Sequence, residues 1–463
     1  MLALEDDACR EGRFERGSPR RGAGVQVEPN TMRSSGLAQP RREGMKRGLG
    51  RLLSAILVFI GGAPAAPAGE EVRIGAIYPL TGAAASTGLE LKNAVELAAE
   101  MINHGAQGLN LPLAGNAGLP GLKGAKIRLV FGDHQSNPQI GATEAERLIT
   151  QEKVVALIGC YASNVTATAS QVAERYGVPF LNPDSSSATL TQRNFKWFFR
   201  TTPHDELFVR NFFVFLKALE TKRGIRPKRI ALMNENTLWG TETTKLEEKL
   251  AKEQGYNIVE TVIYPAKSTQ LTSEVQRLKA SSPDLLMQSS YLGDAILSIK
   301  NYQELGFTPQ AILANDAGFN DSEFLRTLGK AGNYVLSREV WALDLTSRNP
   351  LIKQVNDIYF KRFKTNFNGN SARAFTGLYT LAEAINRAGS TQPEAMRKAL
   401  TETNIGGDKL IMPWQGIKFD ATGQNTLGSG IIVQVQDGKY VTVWPFELAS
   451  ADVIWPMPAW DKR

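Results

Sequence analysis

Short apolar runs alternate with amphipathic stretches along the chain from Val72 onward. Runs rich in β-branched residues predict strands over 72–77, 127–131, 154–159 and 178–181. Apolar residues at helical spacing predict intervening helices over 89–102, 141–150 and 165–176. Strand and helix in regular succession are typical of a parallel, doubly wound sheet.

The same alternation restarts near Arg229. Predicted strands cover 229–233, 258–264, 284–288 and 311–314, and predicted helices cover 242–254, 271–280 and 295–305. Further helices are predicted over 351–363, 371–387 and 393–400, with strands over 430–435 and 440–443. The pattern therefore predicts two similar α/β halves.

The N-terminal region lacks this alternation. Residues 1–44 are rich in Arg, Gly and Glu and show no apolar period, which predicts either a disordered tail or a start assigned too far upstream. Residues 45–68 then carry a charged start, an apolar run and a stretch of small residues, the three parts of a secretory signal peptide. The apolar run, 52–60, is far shorter than the roughly 20 residues that a membrane-spanning helix needs.

Much of the positive net charge of the chain lies in the N-terminal residues 1–68. The chain has 463 residues, 42% hydrophobic and 21% charged, which is ordinary globular usage, and a net charge of +7. Residues 1–68 hold 11 of the 53 basic and 7 of the 46 acidic residues, so their removal lowers the net charge to +3. A nucleic-acid partner is therefore not expected.

Metal, cofactor and enzyme chemistry are all disfavoured. The histidines His104, His134 and His204 are not closely paired, and Cys160 is the single cysteine after the leader, so neither a metal site nor an intrachain disulfide is expected. No G-x-G-x-x-G, Walker A or G-x-S-x-G motif occurs, so we expect no cofactor and no enzymatic activity.

Three loops that follow predicted strands are candidates for a binding site, because ligands of open α/β sheets bind at the carboxyl ends of strands. In loop 159–166, Ser163 and Asn164 begin a helix that could bind a carboxylate, or they could simply cap it. Loop 182–189 offers a cluster of hydroxyls or a solvated turn. In the third loop, Trp239 suits either a pocket wall or packing between lobes.

Several segments resemble the branched-chain amino-acid-binding protein family, the periplasmic solute receptors of ATP-driven importers. The segments that match are Ile74-Gly75-Ala76-Ile77-Tyr78-Pro79-Leu80-Thr81-Gly82, Phe131-Gly132-Asp133-His134-Gln135-Ser136-Asn137-Pro138, Ala142-Thr143-Glu144-Ala145 with Leu148, Ile158-Gly159 with Ser163 and Thr166, and Gly177-Val178-Pro179. The resemblance extends over residues 71–448 and is carried by the ordered series of motifs.

This resemblance implies a type I periplasmic-binding fold, with two doubly wound parallel-sheet lobes joined by three hinge crossings. The crossings are expected near 200–201, 314–317 and 423–428. Lobe 1 is then 71–200 plus 317–425, lobe 2 is 201–316 plus 426–448, and 449–463 is a C-terminal tail.

The resemblance also implies a ligand site between the lobes. Loops matching Ser163-Asn164 and Ser185-Ser186 hold the ligand's carboxylate, and the aromatic matching Trp239 covers it. We add Tyr161, Tyr291 and Asp316 as candidate ligand-binding residues. The expected protein is a periplasmic monomer whose partners are a small-molecule ligand and an inner-membrane ABC permease. A signalling sensor of the same fold and an α/β enzyme are the alternatives.

One departure concerns ligand identity. The family's amino-acid receptors place an acidic residue after the strand that ends here at Tyr264, where it pairs with the ligand's ammonium, but residues 265–270 contain no acid. Asp184, Asp294 or Asp316 could replace it. Otherwise the ligand is an amide, a urea-like solute, or an aromatic or aliphatic carboxylate without an amine.

Overall fold

The computed structural model describes residues 71–463. The predicted segments 1–44 and 45–68 lie outside the described residues. Across 71–463, every helix is too short or too polar to cross a membrane.

The first sheet has five parallel strands in the order β2-β1-β3-β4-β5. Its strands are β1 (Glu71–Tyr78), β2 (Lys126–Asp133), β3 (Ala156–Gly159), β4 (Phe180–Asn182) and β5 (Phe198–Arg200). Helices α1 (Ala85–His104), α2 (Pro138–Thr150) and α3 (Ser163–Tyr176) connect them. Every residue of β3 is buried, as expected for a parallel strand with both faces covered by helices.

The second sheet has seven strands in the order β14-β13-β10-β9-β8-β6-β7. They are β6 (Ile230–Glu235), β7 (Ile258–Tyr264), β8 (Leu285–Ser289), β9 (Ala311–Ala314), β10 (Leu336–Glu339), β13 (Ile431–Gln436) and β14 (Lys439–Trp444). Its helices are α4 (Asp205–Arg223), α5 (Leu238–Glu253), α6 (Thr272–Ser281), α7 (Leu292–Glu304) and α8 (Ser322–Leu328). Strands β7-β6-β8-β9-β10 repeat the order of the first sheet, which confirms the predicted α/β fold with two parallel-sheet lobes.

Three later helices belong with the first sheet. They are α9 (Pro350–Phe363), α10 (Gly369–Ala388) and α11 (Pro393–Thr401), followed by a small ribbon of β11 (Asn404–Gly406) and β12 (Gly416–Lys418). Helix α10 packs along α1 and α11, and it also contacts β3 and β4. We call β1–β5 with α1–α3, α9–α11 and the ribbon the first lobe. The second sheet with α4–α8 is the second lobe.

The predicted boundary at residue 317 is wrong. Strand β10 pairs with β9 and with β13, so 317–339 belong to the second lobe. The chain returns to the first lobe between Glu339 and Pro350, where β10 ends and α9 begins, and not near 314–317. The sequence Leu336-Ser337-Arg338-Glu339 contains three polar residues and therefore gave no apolar signal for a strand.

The other two crossings lie side by side at Arg200. Its backbone N–H donates to the Gly423 carbonyl at 2.7 Å, and its carbonyl accepts from the Asn425 N–H at 2.9 Å. Its buried guanidinium donates through Nη1 to the Ser187 carbonyl at 2.6 Å and through Nε to Gln424 Oε1 at 2.6 Å. The loop after β4 is thus fastened directly to the hinge.

Residues 449–463 do not form a separate tail but pack on the second lobe. Val453, Trp455 and Met457 are buried. The Ile454 N–H donates to Gln434 Oε1 at 2.9 Å, which joins this segment to β13.

Candidate functional site

The two lobes meet at a small cavity of about 20 Å³ at the carboxyl ends of the strands. The loops after β3 and β4 line it from the first lobe, and the loops after β6, β8 and β9 line it from the second. The lining residues are Tyr161, Ser163, Asp184, Ser186, Trp239, Tyr291, Asp316, Ala317, Arg338 and Arg373. The structure therefore brings together six of the eight predicted site residues, all except Asn164 and Ser185.

Ser163 links two loops of the first lobe. Helix α3 begins at this residue with Ala162 as its N-cap, and the side chain that accepts from a first-turn N–H is that of Asn164, whose Oδ1 lies 3.0 Å from the Val165 nitrogen. The Ser163 Oγ instead accepts from the Ser187 N–H at 3.3 Å. Ser163 therefore does not cap the helix, and its buried hydroxyl contributes to the cavity wall.

Ser185 and Asn164 occupy other places. The Ser185 hydroxyl donates to the Tyr161 carbonyl at 2.8 Å and lies 2.6 Å from Thr166 Oγ1, so Ser185 supports the wall from behind. Asn164 lines a second, outer chamber rather than the inner cavity. We expected both side chains to contact the carboxylate of a ligand. In the structure neither side chain lines the inner cavity.

Three aromatic rings meet across the cleft. The rings of Tyr161, from the first lobe, and Tyr291, from the second, have centroids 5.4 Å apart. The Trp239 ring lies 5.1 Å from Tyr291. All three lie at the cavity, so Trp239 serves as a pocket wall and as interlobe packing at once. Its helix α5 begins at Leu238, directly after β6, which places the indole at the cleft.

Two lining residues have unusual backbone angles. Tyr161 has φ of 89° and Asp316 has φ of 58°, and neither is a glycine. Side chains rarely adopt this left-handed region, and such residues concentrate at ligand sites because the surrounding fold imposes the conformation. Tyr161 and Asp316 are therefore held in place by their lobes independently of ligand.

Asp316 joins two buried arginines. Its Oδ2 accepts from Arg338 Nη1 and, at 2.6 Å, from Arg373 Nη1. Burial raises the pKa of this carboxyl, but the two guanidinium groups outweigh it and hold the pKa below its ordinary value. Asp316 is therefore an ionised bridge between the lobes, since Arg373 lies on α10 of the first.

Sequence reasoning missed both arginines. Arg338 lies on the unpredicted strand β10, its guanidinium 3.7 Å from the Phe208 ring centroid and its Nε donating to Asn315 Oδ1 at 2.8 Å. Arg373 lies in a predicted helix where a single charge among apolar residues resembles an exposed position. The one available signal is that an arginine on a helix that is apolar on all sides needs buried partners, and these are Asp184 and Asn370 of the first lobe and Asp316 of the second.

Asp184 is the other buried carboxyl of the cavity. Burial raises its pKa to about 7, although Arg373 opposes the shift. Its Oδ1 lies 3.5 Å from Arg373 Nε, and among residues 71–463 neither carboxylate oxygen has a hydrogen-bond partner. Asp184 thus keeps unused acceptor capacity.

The outer chamber, of about 220 Å³, adjoins the inner cavity and shares Tyr161 and Tyr291 with it. Asn164, Glu235, Lys267 and Asp294 contribute its polar lining. Burial raises the pKa of Glu235 to about 8. Lys267, in the segment where an acid was expected, donates from Nζ to the Ser136 carbonyl at 3.1 Å and so contacts the opposite lobe.

Metal binding finds no support in the described part of the chain, where no group of His, Cys, Asp and Glu has the geometry for an ion. Cys160 is buried and unbridged, and burial raises the pKa of its thiol.

Comparison with known proteins gives a consistent match. A family model described as periplasmic binding protein matches residues 71–439. The Leu/Ile/Val-binding protein homolog 7 of Brucella suis is 32% identical over 405 residues, which is 85% of this chain and 96% of that protein.

Solved structures share the fold. A leucine-binding protein, LivK, from Thermotoga maritima superimposes with a TM-score of 0.68 at 22% identity, covering 80% of this chain and 97% of that one. A solute-binding protein of an ABC transporter from R. palustris, in complex with benzoate, gives a TM-score of 0.68 at 16% identity, covering 84% and 97%. Ligands with and without an amine thus occur on this fold.

Proposed function

The chain belongs to the periplasmic binding protein family, and we propose that it is the extracytoplasmic solute receptor of an ABC importer of the branched-chain amino-acid type. It captures a small carboxylate, amino acid or amide by closure of its two lobes. The proposal includes export to the periplasm through the signal peptide at 45–68 and action as a monomer.

The observation that carries this proposal is the cleft between the lobes, where the inner cavity of about 20 Å³ adjoins the outer chamber of about 220 Å³. Buried polar groups from both lobes converge there with three aromatic rings, an arrangement typical of small-molecule sites at domain interfaces. A relative named for Leu/Ile/Val binding supports the ligand class, and the protein crystallised with benzoate supports the inclusion of plain carboxylates.

Binding begins on the first lobe. Ser163 and Ser186 contact the ligand, and the second lobe then closes with Trp239 and Tyr291 over it. Ligand stabilises the closed state only by its higher affinity for that state, and the closed form then docks on the permease.

Thermal unfolding of the full chain with leucine, valine, benzoate and acetamide tests the proposal. A ligand at 100 times its Kd adds about 2.7 kcal/mol to the free energy of unfolding, and the melting temperature rises accordingly. Titration calorimetry of any ligand that stabilises the protein then gives its Kd, and recovery of that ligand unchanged tests for turnover.

Two variants test the site itself. Ser186→Ala and Trp239→Ala should each raise the Kd at least tenfold, because each removes a group from the cavity wall. Phe360→Ala, which truncates a half-exposed ring on α9, should leave it unchanged. Unaltered affinity in both cavity variants contradicts the site assignment.

A further inference from the structure

The inner cavity contains several polar atoms without hydrogen-bond partners in the described chain. The acceptors are both carboxylate oxygens of Asp184, and the donors are the Tyr161 hydroxyl, Trp239 Nε1 and Arg373 Nε. Buried polar atoms are usually paired, so unpaired ones that share a cavity indicate what a ligand must supply. This set requires a ligand that has both donating and accepting groups.

The Asp184 side chain is held where it can meet a ligand. Asn182 Oδ1 accepts from the backbone N–H groups of Asp184 at 3.0 Å and Ser185 at 2.9 Å, and this turn fixes the loop after β4. Asp184 is only 4% exposed and lines the cavity. Its position therefore does not depend on closure of the second lobe.

The cation nearest to Asp184 is committed elsewhere through its two terminal nitrogens, and its Nε has no hydrogen-bond partner within residues 71–463. Arg373 donates from Nη1 to Asp316 at 2.6 Å and from Nη2 to Asn370 Oδ1, while its Nε is 3.5 Å from Asp184. That separation is longer than a charge-assisted hydrogen bond. A second cation could therefore bind Asp184 without displacing Arg373.

The other acids are less suited to bind a ligand cation. Asp316 is bridged by Arg338 and Arg373. Asp294 lines the outer chamber, away from the inner cavity, and its Oδ2 accepts from the Lys267 N–H at 2.8 Å. Glu235, which also lines the outer chamber, accepts from the Thr237 hydroxyl at 2.7 Å and from the Tyr291 N–H at 3.4 Å. Asp184 is left as the acid whose two carboxylate oxygens both lack a hydrogen-bond partner within residues 71–463.

We infer that Asp184 pairs with a protonated nitrogen of the ligand and is the residue that makes the site prefer amine-bearing acids over plain carboxylates. The inference rests on the proposed function and selects among its ligand classes. It also assigns recognition of the ligand's cationic group to the first lobe, which binds the ligand before the second lobe closes. A plain carboxylate would leave Asp184 buried without a partner, and sites with an unmatched polar group reject such ligands strongly.

Matched ligand pairs test the inference on the unaltered protein. L-Leucine is compared with 4-methylpentanoate, and L-phenylalanine with 3-phenylpropanoate, by titration calorimetry on the full chain. In at least one pair the amine-bearing member should bind about 100-fold or more tightly than its partner. Equal or tighter binding of the des-amino acids overturns the inference while leaving the receptor function intact.

Asp184→Asn then tests the residue. The variant should lose most of the affinity for the amine-bearing ligand and bind the des-amino partner at least as well as before, which reverses the preference. Asp294→Asn, the competing acid, should keep the original preference, and a preference that moves with Asp294 overturns the assignment. If none of the four probes binds, and neither benzoate nor acetamide does, the receptor function fails together with the inference.

Discussion

At the residue scale, the main role of Asp316 is to stabilise the folded protein through its ion pairs with two buried arginines, rather than to recognise a ligand. Both arginines that it bridges are only 2% exposed, and each would be left without its short ion pair by Asp316→Asn. Breaking a buried ion pair by removing one partner costs roughly 3–5 kcal/mol, because the remaining charge stays buried. We expect a loss of about this size in the free energy of unfolding, measured by urea denaturation.

A surface ion pair provides the control. Asp357 lies 2.6 Å from Lys353 on α9, and both side chains are exposed. Exposed pairs contribute about 0–1 kcal/mol, so Asp357→Asn should change stability little. Comparable losses in the two variants would contradict the bridging role of Asp316.

At the element scale, helix α5 of the second lobe holds the loop after β4 in the first. The Glu242 carboxylate accepts from the Ser187 hydroxyl and, at 2.7 Å, from the Thr189 hydroxyl. These contacts join the two lobes, and Glu242 does not line the cavity. Glu242 therefore stabilises closure without touching a ligand.

Glu242→Ala should raise the Kd of a bound ligand by up to about tenfold, because it shifts the closing equilibrium towards the open form by about 1.4 kcal/mol. Small-angle scattering should show a larger radius of gyration for the ligand-free variant than for the unaltered protein. Glu253→Ala, at the exposed C-terminal end of the same helix, should change neither quantity. A normal Kd for Glu242→Ala would show that this contact does not bias closure.

The elements that sequence analysis predicted share a simple property. Strands such as β1 and β6 are apolar runs, and helices such as α2 are amphipathic, so each has a period that a pattern detects. Helix α4 was not predicted, because its many Phe residues and its scattered charged residues do not form a clear apolar period. Strand β10 was missed because two of its four residues are charged.

The candidate site likewise contains residues that the sequence pattern predicts and residues that it does not. Its loops were predictable, because parallel strands present their carboxyl ends at one edge and Ser163, Ser186 and Trp239 follow such strands. Arg338 and Arg373 were not, because their partners lie more than 20 residues away in sequence and on different elements. Long-range pairing of buried charge has no local signature.

At the scale of the whole molecule, buried carboxyl groups are spread over both lobes. Burial is the first cause of a raised pKa in each: to about 8 for Glu90, Glu235 and Glu247, and to about 7 for Asp184 and Glu339. Their ordinary values lie near 4, so the folded chain binds more protons than the unfolded chain up to about pH 8. Its stability therefore falls as the pH rises through this window.

Two histidines, the buried His134 and the partly buried His204, act in the opposite direction but at lower pH. Burial lowers the pKa of His134 and of His204 to about 4, below the ordinary 6.5. The unfolded chain then binds more of these protons, and this contribution to stability rises with pH and is complete above about 6.5. Between pH 6.5 and 8 the carboxyl groups alone determine the sign.

The free energy of unfolding of the ligand-free protein should therefore fall from pH 6.5 to 8, by up to about 1.4 kcal/mol per pH unit for each proton involved, and the melting temperature should fall with it. Glu247→Gln removes one of these protons with little change in shape, since its Oε2 accepts from Asn234 Nδ2 at 2.7 Å and a glutamine oxygen can do the same. The variant should show a shallower decline and a higher melting temperature at pH 8. Glu248→Gln, its exposed neighbour, should follow the unaltered protein. A melting temperature that rises over this interval would mean that these carboxyl groups are ionised in the folded state.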